Sequence, residues 1–352
     1  MNETLKTILA EAMRLGQDGH LHEAAALIQR ELHLPHATPK APESTPDRTD
    51  HNRVIDGDFE VIEDTGPKEG HFIHGRYSHG SESREYRVYV PANADHAARP
   101  LILMLHGCQQ DADDFARLTR LNQLADTLGF IVLYPAQSRA ANAAGCWNWF
   151  LPEHQRPDQG EAALLAALTH EIVARHGADP RRLYVAGLSA GGAMALTLAA
   201  TYPELFVAVG VHSGLPYGLA RDQLSALTLM HQGPSAAGAM PMLSGGGVPV
   251  IVFQGDSDLR VNPVNASWII EQALSGADAA RTEREQGRAS GGLDYTRTRY
   301  LGEDGSTRAE LWVVHGGGHG WFGGDPAGSF AEPRGPDASH EMLRFFLSRA
   351  AV

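Results

Sequence analysis

The sequence predicts an α/β domain with a mostly parallel central sheet and helices on both faces of that sheet. Short, continuous apolar runs such as residues 101–105 and 250–253 are typical of strands that are buried on both sides. Helical patterns separate these runs, and this alternation predicts parallel β-α-β connections. We predict strands over residues 72–77, 85–90, 101–105, 131–134, 183–186, 207–211, 250–253 and 311–314.

Helices are predicted between most of these strands. The first two strands, which no helix separates, are expected to form a leading antiparallel pair. Residues 213–247 form an insertion between two strands, at the position where lids lie in such architectures. Helices are predicted over residues 111–128, 160–176, 193–200, 263–274 and 339–350.

Three regions divide the chain of 352 residues. Residues 1–33 carry two short amphipathic patterns separated by glycines, which predicts a helical hairpin resembling a single tetratricopeptide-type repeat. One such repeat cannot bury its own apolar face, so we expect it to cover the α/β domain, a second copy of the chain or a partner's surface. Residues 34–66 are rich in proline and polar residues and predict a linker. The α/β domain then spans residues 67–352.

Charge and composition exclude several classes of partner. The net charge is −13, with 42 acidic residues against 29 Lys and Arg and no basic cluster, which makes nucleic acid and anionic membranes poor partners. No apolar run approaches the roughly 18 residues of a spanning helix. The N-terminus lacks the basic and apolar regions of a secretory signal, and two cysteines cannot form a disulfide scaffold. We therefore expect a cytoplasmic protein.

The turn at residues 187–191 carries the main chemical signal. Its sequence, Gly187-Leu-Ser-Ala-Gly191, is the G-x-S-x-G pattern, and it lies between a predicted strand and a predicted helix as that pattern requires. The glycines let the strand and the helix approach each other, which leaves the Ser189 hydroxyl exposed beside the helix N-terminus. We interpret Ser189 as the nucleophile of a serine hydrolase. The alternative is a glycine-rich turn with an incidental serine.

A serine needs a base and an acid to become nucleophilic, and in this architecture the acid precedes the histidine along the chain. The loop after the seventh predicted strand offers Asp256 and Asp258. We favour Asp258, which lies further past the strand, and expect Asp256 to bond the backbone of its own turn. The loop after the last predicted strand offers His315 and His319. We favour His319 as the base and expect His315 to be structural; the glycines between them argue against a metal site.

Backbone N–H groups must also bind the oxyanion that develops in the transition state. The first predicted donor is Ala190, directly after the nucleophile. The second should come from the turn after an early strand, where Cys108 is the candidate. His106, at the start of that turn, is predicted to shape it and is counted with the substrate-binding residues.

Six short motifs follow one another along the chain: His106-Gly-Cys-Gln-Gln110, Cys146-Trp-Asn-Trp-Phe150, Gly187-Leu-Ser-Ala-Gly191, Gly255-Asp-Ser-Asp258, Gly318-His-Gly-Trp321 and Gly335-Pro-Asp-Ala-Ser339. Together they resemble the polyhydroxybutyrate (PHB) depolymerase family of α/β-hydrolase esterases. The resemblance implies the α/β-hydrolase fold, esterase activity without a cofactor or metal, and a triad of Ser189, Asp258 and His319. Because neither a secretory signal nor a further substrate-binding domain is seen, the chain resembles the intracellular members.

The resemblance also concerns the surroundings of the site. Secreted relatives would be expected to pair cysteines such as Cys108 and Cys146, whereas a reducing cytoplasm favours two free thiols, so both states stay open. Trp147, Trp149 and Trp321 are predicted substrate-binding residues, because apolar walls suit a hydroxyalkanoate ester. The alternative for these rings is core packing.

We therefore predict a serine carboxylic-ester hydrolase that cleaves poly(3-hydroxybutyrate) or its oligomers inside the cell, through an acyl-enzyme. A feruloyl or acetylxylan-type esterase, or a general short-chain esterase, is the enzymatic alternative, because relatives with those activities share the motifs. A polymer-granule surface protein, in which the N-terminal hairpin does the main job, is an alternative of another class. The same hairpin could join copies of the chain into an oligomer.

Overall fold

The structure is a computed structural model that describes residues 70–80, 82–92, 98–234, 241, 247–275 and 280–349. These residues all fall in the second of two units, Met1–Ile62 and Glu63–Val352, into which the chain divides. The predicted hairpin over residues 1–33 and the predicted linker over residues 34–66 lie outside the described residues, so both stay predictions. No helix in the described ranges is long and apolar enough to cross a membrane.

Within these ranges, ten strands form one large sheet. In chain order they are β1 (His71–His79), β2 (Glu82–Val90), β3 (Arg99–Leu105), β4 (Ile131–Ala136), β5 (Ala178–Leu188), β6 (Ala208–His212), β7 (Val250–Gly255), β8 (Arg281–Arg288), β9 (Asp294–Leu301) and β10 (Thr307–Val314). Their order across the sheet is β1-β2-β4-β3-β5-β6-β7-β10-β9-β8.

The six central strands, from β4 to β10 in that order, pair in parallel. Antiparallel pairing adds β2 and β1 at one edge, and β9 and β8 at the other. The predicted mostly parallel sheet and the predicted leading antiparallel pair are therefore confirmed. Away from this sheet, β11 (Trp321–Phe322) pairs with β12 (Ala331–Glu332).

Helices cover both faces of the sheet, as predicted. They are α1 (Ala112–Thr119), α2 (Leu121–Leu128), α3 (Gly160–His176), α4 (Ala190–Thr201), α5 (Gln223–Gln232), α6 (Val264–Leu274) and α7 (Ala338–Leu347). Helices α3, α4, α5 and α6 contribute to one buried apolar cluster, and α1, α2 and α7 contribute to a second. The sheet lies between the two clusters.

Strand β3 shows why the central strands have continuous apolar sequences. Leu103 and Leu105 belong to the cluster on the α3 and α4 face, whereas Ile102 and Met104 belong to the opposite cluster. All four side chains are at most 1% exposed. Burying a side chain of this size stabilises the fold by roughly 2 kcal/mol, so apolar residues are favoured on both faces of the strand.

Parallel register brings the carboxyl ends of the central strands to a common edge. Leu188 of β5 pairs with His212 of β6, and His212 pairs with Phe253 of β7. Phe253 in turn pairs with Trp312 of β10. The loops that follow β5, β7 and β10 therefore leave the sheet at the same edge, and these loops carry the predicted nucleophile, acid and base.

The single helix predicted over residues 111–128 is wrong, because the chain forms two helices that meet at Arg120. Arg120 has φ 54° and ψ 19°, a left-handed conformation that ends α1. Its guanidinium donates to the Gly323 carbonyl at 2.7 Å and to Asp337 Oδ2 at 2.8 Å. The break between α1 and α2 therefore lies at a residue that contacts a distant part of the chain. The apolar period continues across it, which is why the pattern predicted one helix.

Sequence analysis missed strands β8 and β9 and helix α5. Strand β8 reads Arg281-Thr-Glu-Arg-Glu-Gln-Gly-Arg288, and most of its residues are exposed. Its sequence therefore lacks the alternation of apolar and polar residues that indicates a strand. Ion pairs such as that between Arg299 and Glu283 link β8 to β9. Helix α5 lies inside the insertion at residues 213–247 and begins with a capping box formed by Asp222 and Ser225.

Candidate active site

Ser189 lies on a sharp turn between β5 and α4. Its backbone has φ 56° and ψ −118°, a strained conformation for a residue other than glycine. A Cβ added at Gly187 would lie 2.4 Å from the carbonyl carbon of Gly191, and one added at Gly191 would lie 2.0 Å from the Leu105 carbonyl oxygen. Only glycine fits at these two positions, so the strand and the helix approach each other as the motif predicted.

The first turn of α4 supplies free N–H groups beside Ser189. Ala190 is the first residue of α4, and the first N–H groups of a helix have no acceptor within the helix. Among the described residues, the Ala190 N–H has no other backbone acceptor. The positive end of the helix dipole also lies here. This arrangement agrees with the predicted role of Ala190 as an oxyanion donor.

His319 is paired with Asp258. The distance between His319 Nδ1 and Asp258 Oδ2 is 2.8 Å. The Asp258 side chain is 0% exposed and that of His319 is 9% exposed. When the Nδ1 N–H donates to the carboxylate, Nε2 of the neutral ring is left as a proton acceptor. The structure thus brings the predicted acid and the predicted base into direct contact.

Asp258 is held in place by its own loop. Its Oδ1 accepts the N–H groups of Arg260 and Val261, both at 2.9 Å. Burial alone would raise the pKa of Asp258, but the hydrogen bonds from His319 and from the two backbone N–H groups outweigh burial and leave this pKa below its usual range. The carboxylate therefore stays ionised at neutral pH and can stabilise a protonated His319.

Asp256 bonds the neighbouring loop rather than the backbone of its own turn, which corrects our prediction. Its Oδ2 lies 2.9 Å from His315 Nδ1, and its Oδ1 accepts the Gly316 N–H at 2.7 Å. His315 Nε2 lies 2.9 Å from Thr296 Oγ1. The Asp256–His315 pair therefore joins the loop after β7 to the loop after β10, which carries His319. This is the structural role expected of His315.

His212 connects the serine turn to the histidine loop. Its carbonyl oxygen accepts the Ser189 N–H at 2.8 Å, and its ring Nε2 accepts the Phe322 N–H at 3.1 Å. Phe322 follows His319 by three residues. The hydrogen bonds of the described residues include none from Ser189 Oγ, and catalytic contacts of this kind often form only when substrate is bound. Proton transfer from Ser189 to His319 therefore belongs to the proposal below.

The His212 ring is buried and neutral. It is 0% exposed and stacks on the Trp321 ring with 5.0 Å between the centroids. Burial, together with a smaller effect of the nearby charge of His319, lowers the pKa of His212 to about 3. Because Nε2 accepts the Phe322 N–H, the ring proton lies on Nδ1, which is 3.2 Å from Ser213 Oγ.

The turn after β3 leaves one N–H group without an acceptor. The Gly107 N–H donates to Gln110 Oε1 at 2.9 Å, and the Gln110 N–H donates back to the Gly107 carbonyl at 3.3 Å. The Gln109 N–H donates to the Ala144 carbonyl at 3.0 Å. Within the described part of the chain, the Cys108 N–H has no acceptor, unlike the N–H groups of Gly107, Gln109 and Gln110. It is therefore available as the second oxyanion donor.

Cys108 and Cys146 form a disulfide bond, so of the two states that the sequence left open the structure has the paired one. The bond joins the turn after β3 to the loop that contains Trp147 and Trp149. His106 lies at the start of the same turn and is 1% exposed. Its Nδ1 N–H donates to the Gly107 carbonyl at 2.8 Å, and burial lowers its pKa. His106 therefore shapes the turn from within and presents no surface to a substrate, which corrects its place among the substrate-binding residues.

Two of the three tryptophans predicted to line the pocket are core residues. Trp147 and Trp321 are both 0% exposed. Trp321 Nε1 donates to Ser339 Oγ at 2.9 Å, and Trp147 Nε1 likewise has a buried acceptor. Fully buried rings with satisfied N–H groups offer no wall to a substrate, so core packing is the correct alternative for both. Trp149 is 6% exposed and packs edge-on against Phe150, and its substrate contact stays a prediction.

Similarity to known proteins identifies the family to which this chain belongs. A family model described as esterase PHB depolymerase matches residues 84–291, which is more than half of the chain. This chain belongs to that family. Membership in the PHB depolymerase esterases confirms the resemblance carried by the six motifs.

Relatives of this chain include a poly(3-hydroxyalkanoate) depolymerase and a feruloyl esterase. Poly(3-hydroxyalkanoate) depolymerase C of Paucimonas lemoignei is 33% identical over 240 residues, which are 66% of this chain and 56% of the relative. Feruloyl esterase B of Neurospora crassa is 35% identical over 149 residues, which are 42% of this chain and 50% of the relative. The chain thus spans about half the length of these curated relatives.

A solved structure supports the predicted fold of this chain. The acetyl xylan esterase from Aspergillus awamori matches with a TM-score of 0.57 and 21% identity, over 76% of this chain and 94% of that one. At this identity the likeness concerns the fold alone. The predicted α/β-hydrolase fold is confirmed.

Sequence analysis missed several buried residues that support the site. His212 directly follows the strand predicted over residues 207–211, at the sheet edge where functional residues of α/β folds collect, and this position was the available signal. Glu161 and its partner Arg84 carry no local signal, because they are 77 positions apart in the chain and meet only in the fold. Asn148 lies inside one of the six motifs, but the motif does not indicate that its side chain bonds Glu161.

The choice between the two aspartates can be tested with matched amide variants. Asp258→Asn should lower kcat on an ester substrate by roughly 10³–10⁴-fold, because an amide supports neither the correct His319 tautomer nor its protonated form. Asp256→Asn makes the same change two residues away and should alter kcat only slightly. Steady-state hydrolysis with both variants, each checked for folding by circular dichroism, measures the difference. Equal losses would contradict the assignment of Asp258.

The buried neutral histidines should make the fold sensitive to acid. The pKa of His212 falls from 6.5 to about 3 in the fold, so the ring takes up a proton on unfolding at mildly acidic pH. The His212 ring contributes fully to the free energy of unfolding above pH 6.5, which is its pKa in the unfolded chain. This contribution is lost as the pH falls from 6.5 towards the pKa in the fold, by at most about 1.4 kcal/mol per pH unit. Burial lowers the pKa of His106 as well, which acts in the same direction.

Urea unfolding at a series of pH values between about 7 and 4 measures this loss. His212→Gln keeps an acceptor for the Phe322 N–H but removes the titrating ring, so the free energy of unfolding should depend less steeply on pH than in the wild type. His340→Gln, at an exposed histidine, is the control and should keep the wild-type slope. A His212→Gln slope as steep as that of the wild type would contradict the prediction.

Proposed function

We propose that this protein hydrolyses carboxylic esters through an acyl-enzyme on Ser189. The observation that carries the proposal is the His319–Asp258 pair, which lies at the same sheet edge as the strained Ser189 turn. The backbone N–H groups of Ala190 and of Cys108, in the turn after β3, donate to no backbone acceptor within the described residues and also support the proposal. The names of the relatives that are described as esterases also support ester hydrolysis.

The reaction follows from the positions of these groups. Ser189 Oγ attacks the ester carbonyl carbon while His319 Nε2 takes the hydroxyl proton. Asp258, which is 2.8 Å from the other ring nitrogen, stabilises the imidazolium. The N–H groups of Ala190 and Cys108 bind the oxyanion of the tetrahedral intermediate. His319 then protonates the leaving alkoxide, and a water molecule attacks the acyl carbon by the same route, which releases the acid and restores Ser189.

We propose a hydroxyalkanoate polymer or its oligomers as the substrate. The relative named as a poly(3-hydroxyalkanoate) depolymerase aligns with a larger share of this chain than the feruloyl esterase does. A feruloyl or acetylxylan-type ester is the second candidate, because the feruloyl esterase is 35% identical to this chain, against 33% for the depolymerase.

The cysteine pair bears on the compartment in which the protein works. Disulfides persist in oxidising compartments and are rare in a reducing cytoplasm. The Cys108–Cys146 bond therefore supports an exported enzyme rather than the cytoplasmic one that the sequence predicted. Alkylation of free thiols in intact cells separates the two proposals, since a cytoplasmic enzyme would be labelled at both cysteines before reduction.

Removal of the nucleophile tests the ester chemistry. The purified protein should hydrolyse a p-nitrophenyl ester of butyrate, and Ser189→Ala should lower kcat by roughly 10⁴-fold or more, because no other group can form the acyl-enzyme. Ser257→Ala, which removes an exposed hydroxyl from the loop after β7, should leave kcat near the wild-type value. Hydrolysis that persists at the wild-type rate in Ser189→Ala would refute the proposal.

A direct comparison of substrates tests the proposed ester class. Amorphous poly(3-hydroxybutyrate), methyl ferulate and acetylated xylan should be offered to the same enzyme preparation, with product release followed by chromatography. We expect hydroxybutyrate release to be the fastest and to disappear in Ser189→Ala. Faster release of ferulate or acetate would transfer the proposal to the second candidate.

Deletion of residues 1–60 tests the role of the N-terminal segment. Because every site residue lies in the second unit of the chain, kcat and KM on the soluble ester should stay within about twofold of the wild type. We propose that the deleted segment attaches the enzyme to polymer granules or joins copies of the chain. If the segment attaches the enzyme to granules, its deletion should lower the fraction that sediments with them. If the segment joins copies of the chain, its deletion should lower the apparent mass in size-exclusion chromatography. Unchanged granule binding and unchanged mass would contradict both roles.

A further inference from the structure

Glu161 is a fully buried carboxylate that the ester mechanism does not use. It is the second residue of α3 and is 0% exposed. The N-terminal end of a helix favours a negative charge, but removing a carboxylate from water is costly unless its oxygens accept several hydrogen bonds. The donors that surround Glu161 therefore indicate what the residue holds.

Four hydrogen bonds from three segments reach this carboxylate. The Asn148 N–H donates to Oε2 at 2.7 Å, and Asn148 Nδ2 donates to Oε1 at 3.0 Å. Gln137 Nε2 also donates to Oε1. Arg84 Nη2 donates to Oε1 at 3.0 Å, and its side chain is only 3% exposed, so the ion pair is shielded from water. Glu161 is therefore a shared acceptor for chain segments that are far apart in sequence.

One route leads from Glu161 through Gln137 to the oxyanion turn. The amide of Gln137 that bonds Glu161 also donates to the Cys146 carbonyl at 2.9 Å. The Gln137 N–H donates to His106 Nε2 at 3.0 Å. His106 is the first residue of the turn that contains Cys108. Gln137 therefore contacts both the turn and the loop that is bonded to it.

A second route leads through Asn148. Its neighbour Trp147 donates Nε1 to the His106 carbonyl at 3.1 Å. Cys146, one residue earlier, is joined to Cys108 by the disulfide bond. The segment at residues 146–148 thus holds the turn by one covalent bond and one hydrogen bond, and Glu161 holds that segment by the backbone and the side chain of Asn148.

The segment has no regular structure to position it independently. Strand β4 ends at Ala136, and the next regular element is the short 3-10 helix Pro152–Gln155. Between these points the chain forms only turns and irregular backbone. Its position therefore depends on the disulfide, on the backbone hydrogen bond from Gln109 to Ala144 and on side-chain hydrogen bonds. Glu161 accepts three hydrogen bonds from residues in this segment.

We propose that Glu161 is a positioning residue for the oxyanion hole. It fixes residues 137–148, and this segment in turn holds the Cys108 N–H where the oxyanion develops. The inference rests on the proposed ester hydrolysis at Ser189. Glu161 does not touch the substrate. Because the bound ester has no oxyanion, and the charge develops only as the tetrahedral intermediate forms, loss of Glu161 should lower kcat and leave KM nearly unchanged.

The variant Glu161→Gln tests this role, because glutamine has the same size but only one acceptor oxygen. On the p-nitrophenyl ester we expect kcat to fall by about tenfold or more and KM to change by less than about twofold. Glu310→Gln is the matched control. Glu310 is also 0% exposed and accepts two hydrogen bonds from Arg297, one from Trp312 and one from Arg344. It lies on β10 and bonds neither the turn nor residues 137–148.

Thermal unfolding of both variants separates positioning from general destabilisation. If each buried ion pair only stabilises the fold, the two variants should lose stability and kcat to the same extent. Our inference requires a large loss of kcat in Glu161→Gln and a kcat near that of the wild type in Glu310→Gln, at similar melting temperatures. Equal kcat values in the two folded variants would overturn it.

A mutant cycle with the disulfide tests whether both links act on the same turn. Removing the disulfide with Cys108→Ala and Cys146→Ala keeps the backbone N–H at position 108. If Glu161 acts through this turn, adding Glu161→Gln to the disulfide variant should lower kcat by less than it does in the wild type. Independent, multiplying losses would overturn the inference.

If Glu161→Gln does not fold, Asn148→Ala decides the question, because it removes the side-chain link and leaves Glu161 with its other donors. Asn148→Ala should then show the loss of kcat at constant KM, and a folded Asn148→Ala with wild-type kcat would overturn the inference. The wild type and Ser189→Ala are assayed in parallel. A wild type without Ser189-dependent hydrolysis would refute the proposed function itself, whereas an active wild type beside unaffected variants would refute only the role of Glu161.

Discussion

The active site depends on the close approach of helix α4 to strands β3 and β5. Gly191 lies against the Leu105 carbonyl oxygen, where a side chain has no room. This contact sets the direction in which the chain reverses at Ser189. Because the turn with His106 and Cys108 follows Leu105 directly, the same contact also sets how far the first N–H groups of α4 lie from that turn. One steric constraint thus places the nucleophile and both predicted halves of the oxyanion hole.

The parts of this protein that could be predicted from sequence are those with local or strongly periodic causes. The central strands are buried on both faces, so their apolar runs were visible, and the serine turn has a motif whose glycines are required by contacts within a few residues. The Asp258–His319 pair followed from the order of loops along a parallel sheet. Choosing Asp258 over Asp256 required only that one carboxylate lie further from its strand, and the pairing at His319 agrees with that choice.

The parts that could not be predicted depend on partners that are distant in sequence. Trp147 and Trp321 have the composition of a pocket wall, but the burial that makes them core residues comes from elements far along the chain. Arg120 ends a helix while it contacts residues more than two hundred positions away. Nothing in the helical pattern around Glu161 indicates that this residue is buried, and only the fold shows its four donors. Burial of polar groups is a tertiary property and has no local signature.

The charged outer strand β8 has a consequence for the molecule at high concentration. An open sheet edge exposes unpaired N–H and C=O groups and can recruit a strand from another molecule. Along β8, Arg281, Glu283, Arg284 and Glu285 succeed one another, and most of the strand faces solvent. Docking a second strand there would strip water from these charges, so this edge of the sheet is protected against edge-to-edge aggregation even where many copies are crowded together.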